Sequence, residues 1–278
     1  MTGVDTGREQ GFDLVLFSSE HMDKEFVAPT DDVIKNMTIA NGNACVDMCT
    51  PIYRIFPIER FAELMVKKTI SFAHPKKWED PAEYSFITRT QKLNGTKVEK
   101  SKDWDLHGQC WSMNKSCDGL WRAYTNNKAK LAVQVETTIG GLLKAYVNTK
   151  DKMLQNLFCG KVIYKPGTAL QENMMQTDAS GFLEDLSSLF YKRDDFKYEE
   201  EVRFVVSLYD GSLSLFENSE SVLCDQYSLF AFSDLAWIDR CAVSPWASSM
   251  EEGFVKELAK LGGLDTVNVK KSDLYEAW

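Results

Sequence analysis

The period of the apolar residues changes repeatedly along the chain, and each change marks a short element. In "PIERFAELMVKK", Ile58, Phe61, Leu64 and Met65 recur at helical spacing behind Pro57, which predicts a helix starting at the proline. The preceding "PIYRIF" predicts a short strand. "TISFAHPKKWEDPAEYSF" predicts another strand and then a loop held by Pro75 and Pro81. "GQCWS" reads as a strand, and "DGLWRAYTN" as a helix with Leu120, Trp121 and Tyr124 on one side. "KLAVQVET" alternates as a strand does, "IGGLLKAYV" reads as a helix, and "GKVIYK" as a further strand. "ASGFLEDLSSLFYKR" has the spacing of an amphipathic helix. The tail predicts a strand ("LAWIDRCAVSP"), a helix ("SMEEGFVKELAKLGG") and a strand ("DTVNVKK").

Short strands interleaved with short helices at irregular intervals predict an α+β fold, with mixed, largely antiparallel sheets flanked by short helices. No repeat, low-complexity tract or linker interrupts the chain, so a single domain over residues 1–278 is expected. Within it, residues 1–48 read as an irregular lead-in and residues 84–107, rich in Lys and Asp, as a candidate flexible insertion.

Composition narrows the function classes. The chain has 278 residues, 44% hydrophobic and 12% aromatic, enough for a sizeable core. A net charge of −9 argues against a protein held to nucleic acid by charge alone. The N-terminal stretch lacks a basic segment followed by an apolar one, and apolar runs fall short of the ~18 residues of a membrane helix. A soluble cytoplasmic protein without a membrane partner is expected. Seven scattered cysteines read as free thiols of a reducing compartment. Cys45 and Cys49 lack a second ligand pair and histidines are few (His21, His74, His107), so no metal is expected.

The stretch "KYEEEVRFVV" carries the candidate chemistry. Strand alternation places Glu199, Glu201 and Arg203 on one face, and Glu200, Val202, Phe204 and Val206 on the other. Strands deplete Glu, so the acidic row is either an ion-paired solvated face or the acidic edge of an active site. Three other islands combine residue types a core does not need: Tyr53-Arg54, the segment Trp78-Glu79-Asp80-Pro81-Ala82-Glu83, and Cys110-Trp111-Ser112 followed by Trp121 and Tyr124. Taken singly, each has a plainer explanation. Arg54 suits a surface ion pair, the aromatics suit a core, Asp80-Pro81 suits a turn with Glu83 incidental, and His74 and His107 suit loops.

In order and wording, the four islands resemble a large uncharacterised prokaryotic domain-of-unknown-function family. Its pattern is Tyr-Lys/Arg-Tyr/Phe, Phe-Asn-Asp-Pro-x-Glu, Cys-x-Ser with a following Trp-x-x-Tyr, and Tyr-Glu-x-Glu-x-Arg. Here Trp78-Glu79 replaces Phe-Asn, and the resemblance covers residues 50 to 275. It implies no activity. The order Arg54, Ser112, Glu199-x-Glu201 is also similar to ADP-ribosyltransferases of the arginine–serine–glutamate type. That resemblance implies their fold and NAD as a substrate, chemistry that suits a bacterial toxin, effector or phage-defence component. It implies Glu201 beside the reacting ribose, Glu199 as the group that orients or deprotonates the nucleophile, and Arg54 on the pyrophosphate. Tyr53, Ser112, Trp121, Tyr124 and Arg203 complete the expected NAD-binding set. The acceptor is open among protein, nucleic acid and water. Two alternatives stand beside this reading. One is a metal-dependent nuclease or phosphoesterase with Asp80, Glu83, Glu199 and Glu201 around Mg²⁺. The other is a non-catalytic interaction module.

Overall fold

The computed structural model describes residues 47–78, 80, 83, 91–93, 96–98, 105–147, 157–168, 186, 188–208, 223–224 and 227–276. Strand β1 (Pro51–Pro57) runs into helix α1 (Ile58–Lys67), which buries Phe61, Leu64 and Met65 and stops where Lys68 turns left-handed at φ 55°. Strand β2 (Thr69–Ala73) follows. A short hairpin, β3 (Gln91–Leu93) and β4 (Thr96–Val98), lies within the stretch expected to be a flexible insertion. Next come β5 (Asp105–Ser112), α2 (Asp118–Tyr124), β6 (Ala132–Thr138) and α3 (Ile139–Val147). After these the chain forms β7 (Leu157–Lys161), β8 (Ile163–Lys165), β9 (Tyr191–Arg193) and β10 (Glu201–Leu208). The last elements are β11 (Leu223–Cys224), β12 (Tyr227–Ala231), β13 (Arg240–Val243), α4 (Ser249–Leu261) and β14 (Val269–Lys271).

The fold is mixed α/β around one mostly antiparallel sheet, ordered β11-β12-β2-β5-β1-β6-β13-β14, with β10 and β7 branching from β5. Only the β13–β14 pairing within it is parallel. β5 is the hub. One edge pairs with β10 along its whole length, from Glu201↔Ser112 to Leu208↔Asp105. The other edge is shared, with Ala73 of β2 opposite Gly108 and Tyr53 of β1 opposite Ser112. Between those two contacts the Arg54 guanidinium donates to the Cys110 carbonyl at 2.8 Å, so a side chain satisfies a backbone acceptor there.

Alternation then divides the sheet. Trp111, Val202, Phe204, Val206, Val133 and Val135 turn to the main core, where they meet Phe61, Tyr146 and Val255 of the helices. The opposite face carries Cys110, Ser112, Glu201, Arg203 and Tyr53 at matching register.

Several expectations are corrected. "GKVIYK" is two strands in different sheets. The chain switches at Val162, whose N–H donates to the Glu201 carbonyl while that of Ile163 donates to the Phe190 carbonyl. The amphipathic pattern through Arg193 ends in strand β9 rather than helix, because parallel pairing with β8 claims Tyr191–Arg193; most of that pattern lies outside the described residues. Residues 84–107 contain β3, β4 and the start of β5, so this stretch includes sheet structure. His107 is fully buried on β5, not in a loop. Strand β12, not predicted, pairs with β2. The lead-in, apart from its last residues, falls outside the described residues. Among the described residues, no helix is long and apolar enough to cross a membrane.

Candidate functional site

Glu199 does not belong to the strand, contrary to the alternation of the sequence. Residues Asp194–Glu199 form a 3-10 helix, and Glu200 is left-handed at φ 45°. This turn, not the pleat, brings the Glu199 carboxyl back beside that of Glu201. Three hydrogen bonds fix it. Ser112 Oγ donates to the Glu199 carbonyl at 2.6 Å, Met113 N–H to the Glu200 carbonyl at 2.9 Å, and Asn114 Nδ2 to the Tyr198 carbonyl at 3.2 Å. Glu200 is exposed, whereas Val202 is fully buried, so the two do not share a face as alternation would have it.

Behind the pair lies a buried ionic network. Lys192 Nζ donates to Glu199 Oε2 at 2.6 Å and to Glu201 Oε1 at 2.7 Å. Arg203, fully buried, donates to Glu201 Oε2 at 2.7 Å, to Glu83 Oε1 and to the Leu189 carbonyl, and the Trp78 ring covers its guanidinium at 4.5 Å. Asp80 receives a bidentate fork from Arg193 at 3.0 and 3.1 Å. The Glu201 amide donates to the Tyr164 hydroxyl at 2.9 Å. The expected turn is present, with the Glu83 N–H donating to the Asp80 carbonyl at 3.1 Å, but Glu83 is not incidental: both acids are buried anchors. One ties β9 to the segment before β5, and the other holds the guanidinium that holds Glu201.

Electrostatics separates the two glutamates. Burial, together with the hydrogen bond and negative charge of Glu201, pushes the Glu199 carboxyl up to about 8. Burial acts the same way on Glu201, but Arg203, the Glu199 proton and Lys192 outweigh it, so this carboxyl is held well below the usual range. At neutral pH the arrangement is a protonated Glu199 donating to an ionised Glu201. That leaves two cations, Lys192 and Arg203, against two carboxylates, Glu201 and Glu83. Burial raises Glu83 more than Arg203, its hydrogen-bond donor, lowers it. Burial also works against the charge of Lys192, yet three glutamates hold it above its ordinary value.

In front of the pair is a narrow cleft, open to solvent, with about 30 Å³ of free volume. Its lining includes Tyr53, Arg54, Cys110, Ser112, Leu120, Tyr124, Gln134, Glu199 and Glu201. Six residues of the expected set thus reach one place: Tyr53, Arg54, Ser112, Tyr124, Glu199 and Glu201. Tyr124 is 37% exposed overall, but burial lifts its hydroxyl to about 12, in the field of Arg54, Cys110 and both glutamates. Burial likewise raises the Cys110 thiol to about 12, which disqualifies it as a nucleophile.

Two members of the expected set lie elsewhere. Trp121 is fully buried beneath the cleft against Ile55 and Ala132, because its helix docks on β1 through that ring. It supports the wall and cannot stack on a ligand. Arg203 spends its donors on Glu201, Glu83 and Leu189, so it positions a carboxylate instead of contacting a cofactor. Lys192 was missed. It sits inside a segment whose spacing reads as helix, and only the β8–β9 pairing, with Tyr164 opposite Lys192, turns it inward.

Among the described residues, no cluster of His, Cys, Asp and Glu has the arrangement of a metal site. Comparison with protein-family models, with curated proteins and with solved structures found no match to this chain.

Proposed function

We propose that the protein breaks the nicotinamide–ribose bond of NAD, as an ADP-ribosyltransferase or an NAD glycohydrolase with an ADP-ribosyltransferase-like fold. The observation that carries this reading is the meeting of Arg54, Ser112, Tyr124, Glu199 and Glu201 at one cleft, with the two carboxyls in opposite protonation states. As the C1′–N bond breaks, its electron pair leaves with neutral nicotinamide and the ribose becomes cationic, as in glycoside hydrolysis. Ionised Glu201, immobilised by Lys192 and Arg203, places fixed negative charge beside that cation. An acceptor hydroxyl or water then bonds to C1′ and gives its proton to Glu199 in the deprotonated form that the carboxyl reaches as the pH approaches about 8. Arg54 offers a fork that suits phosphate oxygens, and Tyr124 a wall for the nicotinamide ring. The four sequence islands gain a common purpose in this reading.

The metal-dependent alternative draws on one observation: Glu83 lies close enough to feel Glu201 and Lys192. Arg203 and Lys192, however, already occupy the carboxylate oxygens that Mg²⁺ would need. An interaction module predicts no convergence of polar groups on a cleft, and it is not preferred.

The test is release of nicotinamide from NAD by the purified protein, with Glu199→Gln and Glu201→Gln in parallel. Release that falls about 100-fold or more in either variant, with the fold retained, is expected. No release together with no NAD-dependent thermal stabilisation at millimolar NAD would overturn the proposal.

A further inference from the structure

A second, larger groove opens on the same face of the sheet, with about 1160 Å³ of space continuous with solvent. Strand register links it to the cleft. Glu201 stands opposite Ser112, Ser112 opposite Tyr53, Tyr53 opposite Glu136, and Glu136 opposite Arg240, a row across five strands. The next row runs from Ile55 to Gln134 and Ala242, and Gln134 lines both cavities. From Ser112 to Arg240 is three strand spacings, roughly 14 Å. Electrostatics follows the same line, because the Tyr53 hydroxyl feels both Glu136 and Arg240.

The groove's charge departs from that of the chain. Four cationic side chains, Lys115, Arg240, Lys270 and Lys271, line it against three acidic ones, Glu136, Asp273 and Glu276. On a protein of net charge −9 this is a locally cationic hollow. The cleft alone is too small for a whole dinucleotide, and the groove begins where the cleft ends.

We infer that this groove is a nucleoside-diphosphate site, taking the adenosine-diphosphate end of the dinucleotide whose nicotinamide ribose lies at Glu201. The inference rests on the glycosidic reading for its substrate, but the groove has a binding readout of its own. Arg240 and Lys270 meet oxygens of the phosphate nearer the adenosine as charge-assisted donors, while the Tyr53–Gln134 strip passes beneath the part of the pyrophosphate that leads back to the nicotinamide ribose.

The experiment uses the full chain with ADP as the probe, followed by calorimetry and thermal shift, and compares the wild type with Arg240→Glu/Lys270→Glu. Both residues are exposed, so the double variant is expected to fold, and Lys256→Glu/Lys260→Glu on α4 makes the same change in net charge away from the groove. ADP binding weakened at least about tenfold in the Arg240→Glu/Lys270→Glu variant and unchanged in Lys256→Glu/Lys260→Glu is the expected result. With NAD as substrate, the Arg240→Glu/Lys270→Glu variant raises KM at least about tenfold and leaves kcat in place, the signature of lost uniform binding. Absence of ADP binding to the wild type at millimolar concentration, or binding indifferent to Arg240 and Lys270, would overturn the inference. Charge-dependent ADP binding with no nicotinamide release, and with NAD stabilising the protein no more than ADP does, would uphold the groove and overturn the glycosidic chemistry, so the two failures are distinguishable.

Discussion

Replacing Glu199 with Gln removes one titrating group and leaves the shape of the network intact. The amide donates to Glu201 as the protonated carboxyl does, so the variant mimics the low-pH form of the site. The magnitude follows from the pKa. In the folded protein the carboxyl is raised from 4.5 to about 8, while the unfolded chain releases the same proton at the ordinary value. Between those two pH values the folded pair holds a proton that the unfolded chain has lost, so stability falls as pH rises, by up to about 1.4 kcal/mol per pH unit. Integrated to pH 8 the loss approaches about 5 kcal/mol, an upper bound for a pair so tightly coupled. Below pH 4.5 the sign reverses. The unfolded chain then takes up a second proton that Glu201, held low, refuses, and stability falls again as pH drops. Wild-type stability therefore peaks near pH 5, whereas Glu199→Gln keeps only the acid-side loss and stays level from pH 5 to pH 8. Urea denaturation followed by tryptophan fluorescence at half-unit pH steps measures both curves, and subtraction removes every group they share. Parallel curves from pH 5 to pH 8 would refute the protonation asymmetry on which the site rests.

Four further outcomes are expected. Nicotinamide release rises with pH through a midpoint near 8, as Glu199 loses its proton, and a pH-rate profile shows the same limb missing from Glu199→Gln. Arg203→Lys keeps the charge but cannot serve Glu201, Glu83 and the Leu189 carbonyl together; denaturant titration should find about 3 kcal/mol lost. In Gly108→Ala the new Cβ would lie 2.5 Å from Trp78 Cζ2, so the ring must leave the Arg203 guanidinium, at a cost of about 1–3 kcal/mol by urea denaturation. Ser112→Ala removes the hydroxyl that anchors the Glu199 turn; about 1–2 kcal/mol should be lost, and the falling limb of the stability–pH curve should shift toward lower pH as Glu199 becomes better solvated.

What the sequence disclosed, and what it withheld, divides along physical lines. Strong periodicity was legible: α1, α3 and α4 lie where Phe61, Leu142 and Val255 recur at helical spacing, and β6 where Val133 and Val135 alternate with Gln134 and Glu136. Also legible were the residue types that gather at the cleft, since Arg54, Ser112, Glu199 and Glu201 fit no core pattern. Tertiary information was not. That Lys192 faces inward depends on a three-residue parallel pairing with β8, too short to leave a period in the sequence. Glu199 and Glu201 share a site through a left-handed Glu200, although strand alternation by itself would also have put them on one side. Asp80 and Glu83 looked like turn residues because their partners, Arg193 and Arg203, lie more than a hundred positions away.

That last separation bears on when the protein becomes competent during its synthesis. Glu83 is bridged to Arg203 across 120 positions, and the Arg54, Ser112 and Tyr124 walls are translated long before the two glutamates they face. A nascent chain that ends before residue 199 has Glu83 without Arg203 and no carboxylate pair at all. Closing loops of this length is entropically slow and comes late in folding. An activity of this site would therefore switch on only after Arg203 has been made and has closed on Glu83.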